Sequence, residues 1–166
     1  MLFKKQYFQP YHRILLHWQR KPLFQRAIFP MFSGVFVGMA AVWIGTLLAG
    51  YGFEQRRLLW IMKEGMVFMM RFSVVLYLFA LVWCVLVRFY RIGSGWKWLL
   101  VSFSVSGCVG WLAWRVLEGL FASRADYLRD FKEVGTVCVV AVALSVLHVC
   151  VAAFLFEREK RYHDAG

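Results

Sequence analysis

Three charged residues stand inside long apolar stretches of this chain: Arg71 in the second, and Arg115 and Glu118 in the third. His148 stands inside the fourth. An ionised side chain at the centre of a bilayer costs roughly 2.5–3.5 kcal/mol on insertion scales. Such a residue therefore turns to a partner of opposite sign, to water or to another protein. Arg115 and Glu118 are three positions apart, so on a helix they lie one turn apart on neighbouring positions of one face. Two bases against one acid leave a surplus positive charge, which an acidic residue of another subunit could balance. The chemistry open to this set is a polar clasp, an ion or proton path, or a site for an anionic group.

Other reactive groups give less. Cys84, Cys108, Cys138 and Cys150 all fall within apolar runs and none forms a CxxC pair, so they read as small packing residues. His148 is the only histidine within an apolar run, and a di-haem site needs histidines in pairs. His12, His17 and His163 lack cysteine or carboxylate companions at metal-ligand spacing. No GxSxG, HExxH, Walker or dinucleotide motif occurs. No metal, cofactor or catalytic residue is expected, and the chain does not read as an enzyme.

The elements that must position these side chains follow from composition. Hydrophobic residues make up 61% of 166 residues, against roughly 45–50% in soluble domains. A soluble fold of this size could not hide that much apolar surface. Net charge is +11, with most Lys and Arg outside the apolar runs. The excess matches topogenic charge and attraction to anionic phospholipids; no nucleic-acid fingerprint accompanies it, and no nucleic acid partner is expected.

The expected architecture is all-α: a polytopic membrane protein with four transmembrane helices in a bundle. Residues 1–26 form a basic arm. The membrane domain, 27–156, has spans at 27–52, 65–87, 98–121 and 134–156, and 157–166 is a charged tail. Each run has about 23 to 26 residues, roughly 35 Å of helix, enough for a core of about 30 Å. Within the arm, Pro10 and Pro22 bracket Tyr11, Ile14, Leu15 and Trp18 at helical spacing, the pattern of an amphipathic segment lying at the interface. Phe53–Glu64 and Ala122–Glu133 are the two loops on the other side, the second turning helical towards its end.

Small residues recur at helical spacing on three spans: Gly34, Gly38, Ala41 and Gly45; Ser102, Ser106, Gly110 and Ala113; and Cys138, Ala141, Ser145, His148 and Ala152. Such faces let helix backbones approach closely where lipid supplies no hydrophobic drive. The 3-4-3-4 spacing on the fourth span is that of a left-handed helix pair.

Twelve Lys and Arg belong to the arm, the 88–97 connection and the tail, against six in the two opposite loops. The richer side is cytoplasmic, so both termini are expected in the cytoplasm of a bacterial-type inner membrane. Arg71, Arg115 and Glu118 then share one level in the outer half of the bilayer, as an internal network, with His148 in the inner half. The function expected is that of a non-catalytic accessory or assembly subunit of a larger membrane complex, of the secretion, conjugation or envelope type, with other integral membrane subunits as partners. The competing expectation is a small homo-oligomeric transporter or channel whose path is lined by the Arg/Glu cluster. A membrane-state sensor is the third.

Overall fold

The structure, a computed structural model, describes His17 and residues 20–49, 55–89, 96–121 and 131–164. Among these residues no strand occurs. A single turn, Leu23–Arg26, leads into α1 (Ile28–Ala49); α2 (Gln55–Phe89), α3 (Trp96–Phe121) and α4 (Phe131–Asp164) follow. Leu23–Leu48, Gln55–Val87, Lys97–Leu120 and Val134–Leu155 are long and apolar enough to cross a membrane, as in a multi-pass membrane protein. The arm residues Tyr11, Ile14, Leu15 and Trp18 lie outside the described residues.

One boundary differs from expectation. Most of Phe53–Glu64, expected as a loop, is the beginning of α2, which starts at Gln55. Arg56, Arg57, Lys63 and Glu64 interrupt hydropathy but not helix formation, since Arg, Lys, Glu and Leu are all good helix formers. α4 runs on to Asp164, so the charged tail continues the fourth helix, as its sequence leads one to expect.

Pro30 sits in the first turn of α1, where its missing N–H has no helical partner to lose. From there the buried line on α1 runs through every fourth residue: Pro30, Gly34, Gly38, Val42 and Thr46. Four exceeds the 3.6-residue period, so this line winds about 40° per step around the helix. Such i, i+4 rows are the ridges of steep, GxxxG-type crossings. They differ from the line expected at Ala41 and Gly45, which are only half-buried.

The row meets α4. A Cβ on Gly34 would stand 2.7 Å from Val149 Cγ2 and 3.1 Å from the Ser145 carbonyl oxygen. One on Gly38 would collide with the Ser145 hydroxyl and the end of Met69. Only glycine permits this approach. Gly45 faces Val137, so α1 and α4 run antiparallel along most of their apolar length. On α4 the buried line is Cys138, Ala141 and Ser145, then Val149 and Ala153. It passes beside His148 and Ala152, both half-buried, because the four-residue step of α1 is matched by four-residue steps here.

Helix α2 is the hub. One side meets α1 and α4: Gly65 receives Val42, Met69 reaches Gly38, Leu76 reaches Gly34, and Trp83 Nε1 donates to the Cys150 carbonyl at 3.3 Å. The other side meets α3 through two aromatic groups, Phe68 and Phe72 with Trp114, and Phe79 and Trp83 with Phe103. Gly110 of α3 stands over Val75 and Phe79. Among the described residues α3 packs extensively on α2 alone, whereas α1, α2 and α4 all pack on one another. Accordingly 44% of the most apolar stretch of α2 is buried inside the protein, against 17% for α3. The turn before α1 is also anchored on α2, where Tyr77 Oη donates to the Phe24 carbonyl at 3.0 Å.

Candidate functional site

Between the aromatic contacts of Phe103 and Trp114, the side of α3 that faces α2 carries a line of small residues, two of them polar. Ser102, Ser106 and Gly110 are buried, and they step by four like the rows above. The hydroxyls of Ser102 and Ser106 and Nε1 of Trp98 are buried and have no hydrogen-bond partner among the described residues. A buried hydroxyl left unpaired costs about 1–3 kcal/mol, so this contact is less well satisfied than the one between α1 and α4. There the Ser145 and Thr46 hydroxyls each donate to the carbonyl four residues back, at 2.7 Å.

Arg115 is nine residues from Ser106, about 180° around the helix. It therefore points straight away from α2. Its guanidinium Nη1 donates to Glu118 Oε2 at 2.7 Å, and the two side chains are 62% and 39% exposed. Trp114 packs on Phe68 and Phe72, which sets the turn carrying Arg115 level with the turn carrying Arg71. Arg71 too is exposed, on α2. The three charges expected as an internal network thus lie on the outer surface of the packed helices. His148 lies on α4, which has no extensive contact with α3.

The line along the outward side of α3 is Val101, Ser104, Cys108, Trp111, Arg115 and Glu118, in 3-4-3-4-3 steps. All are exposed except Glu118, which is half-exposed. Two glycines flank it, and a Cβ on either Gly107 or Gly119 would meet nothing within 4 Å. Their own chain gives no packing reason for glycine, which costs about 1 kcal/mol relative to Ala inside a helix.

The outward faces of α1 and α4 are different. They present Phe32, Phe36, Ile44, Leu47 and Leu48, and Val139, Val140, Leu144, Leu147 and Val151, all exposed. Those are surfaces made for acyl chains. The face of α3 mixes Trp111, Leu112 and Val116 with a serine, a thiol, a glycine and an ion pair.

The sequence points to Arg115 and Glu118 but not to Ser104, Gly107 and Gly119, and it reads Cys108 as a packing residue, whereas Cys108 is exposed on this face. The signal was present in the angular distance between Arg115 and the Ser106–Gly110 stripe. Among the described residues no three His, Cys, Asp or Glu side chains gather as a metal site, and the four cysteines are free. No protein-family model, no curated protein and no solved structure matches this chain.

Proposed function

We propose that this protein is a non-catalytic subunit of a larger assembly in a bacterial-type inner membrane, a four-helix bundle with both termini in the cytoplasm. Its task is to present one helix face to other integral membrane subunits. The observation that carries this reading is the sidedness of α3. Among the described residues its inner face packs extensively on α2 alone, and its outer face holds an Arg115–Glu118 ion pair within an apolar span. Pairing lowers the cost of the two charges, but hydrocarbon remains a poor solvent for the pair. A protein surface that supplies further hydrogen bonds is a better one.

The basic arm suits anchoring to anionic phospholipids through Lys4, Lys5, Arg13, Arg20 and Lys21, while Arg26 is buried and donates to the Lys21 carbonyl. A transport path through one copy draws no support from charges that stand on the outer surface. The test is mild-detergent capture of the tagged protein with identification of what co-purifies, in parallel with Arg115→Ala and Glu118→Ala. A stoichiometric membrane partner that both variants lose supports the subunit reading. A wild-type protein that comes alone defeats it.

A further inference from the structure

Resting on that reading, we infer that the surface covering the outer face of α3 is the α3 of a second copy of this chain, related by a two-fold axis along the membrane normal. Charge supplies the first argument. Arg115 and Glu118 form a neutral plus–minus pair on one face, offset by one turn, about 4.5 Å along the helix. Two copies inserted by the same route have the same orientation and depth. A two-fold axis along the normal therefore brings Arg115 of each copy level with Arg115 of the other, one turn from the other's Glu118. Each guanidinium, with five donors, can then keep its own carboxylate and reach the second. Like charges are level in this arrangement, so the pair is complementary to itself with the four side chains alternating in sign around the axis, each guanidinium between two carboxylates. No additional acidic residue is needed.

Shape supplies the second argument. The 3-4-3-4-3 line Val101, Ser104, Cys108, Trp111, Arg115 and Glu118 has the period of a left-handed helix pair. It differs from the four-residue rows by which this chain packs against itself. Small residues lie near its centre at Ser104 and Cys108, and the flanking Gly107 and Gly119 leave open space that the chain does not fill. Helices that meet along such a line come close where it is small, and Cys108 lies on it, exposed.

Cys108 makes the inference testable in native membranes. In a symmetric parallel pair Cys108 faces its own copy, and a disulfide forms only when the Cα atoms come within about 7 Å. Copper phenanthroline, which takes two electrons and two protons from a thiol pair, should yield a covalent dimer. Cys108→Ser should abolish it, and Cys150→Ser should leave it unchanged. Ser104→Phe, a neutral wedge on the same line, should lower the dimer at least tenfold.

R115E and E118R chains carrying different tags should each lose self-association at least tenfold and regain it when co-expressed, since one face is then doubly acidic and the other doubly basic. Absence of a Cys108 dimer from membranes in which the protein is inserted would overturn the inference. So would failure of R115E and E118R to capture one another. A different protein captured stoichiometrically, with no Cys108 dimer, ends the second-copy inference but leaves the subunit reading standing. A Cys108 dimer with no other protein bound supports the inference and defeats the larger assembly. Neither dimer nor partner ends both.

Discussion

Two surfaces of this protein are rich in small residues, the α1–α4 seam and the outward face of α3, and they have opposite fates. In the seam, Gly34 and Gly38 are covered by Val149, Ser145 and Met69 of the same chain, at distances that leave no room for a Cβ. On α3, Gly107 and Gly119 have nothing near them, and an ion pair stands exposed nearby. Small residues therefore do not by themselves say what a helix packs against. The step between them and the atoms they meet do.

The most direct way to separate the two surfaces is to fill them. Gly34→Leu drives a branched side chain into Val149 and the Ser145 carbonyl, a backbone atom that cannot turn aside. It is expected to destabilise the protein by about 1–3 kcal/mol or more, read as a lower unfolding midpoint in detergent and less protein in the membrane. Unchanged stability would mean that α1 and α4 do not pack as described. Gly107→Ala is the opposite experiment. Its Cβ meets nothing in the chain, so the monomer should be stabilised by up to about 1 kcal/mol through helix propensity alone. A loss of monomer stability would show that the space around Gly107 is already occupied.

Smaller effects sharpen the contrast further. Ser106→Ala removes a buried hydroxyl with no partner and should be neutral or stabilising by about 1 kcal/mol, in thermal unfolding of the monomer. Clear destabilisation would reveal a hydrogen bond there. Smallest is Arg115→Gln in the detergent-solubilised monomer. An exposed i, i+3 ion pair contributes about 0.2–0.5 kcal/mol to its helix, so the midpoint should barely move. A large change would mean that Arg115 holds the monomer together instead of facing outward.

Much of this was legible beforehand. The four apolar runs announce four helices; of the small-residue positions, Gly34, Gly38, Ser106, Gly110, Ala141 and Ser145 are buried, while Ala41 and Gly45 are half-buried. Arg115 and Glu118 at i, i+3 form the expected local pair. What was misread is direction. The matching depths of Arg115 and Arg71 suggest an internal network, yet depth and azimuth are independent on a helix. On α4, the choice between His148 and Val149 turned on whether the repeat was 3-4 or 4-4, and both rows contain small residues. At Gln55–Glu64 the charge suggests a loop where the backbone is helical, because hydropathy reports solvent and not backbone conformation.

Composition alone determined that four segments of this chain are apolar helices and that Arg115 pairs with Glu118. Those outcomes depend on residues within a turn or a run, where burying backbone hydrogen bonds leaves helix as the open choice. Only the tertiary structure decided that, among the described residues, α1 and α4 pack on α2 and on each other while α3 packs extensively on α2 alone, and so which face of α3 is left open. Helix partners in an apolar solvent are chosen by the fit of two surfaces distant in sequence, with no large hydrophobic term to bias the choice. A stripe of glycines on α1 cannot specify that Ser145 and Val149, more than a hundred residues later, will be what fills the gap.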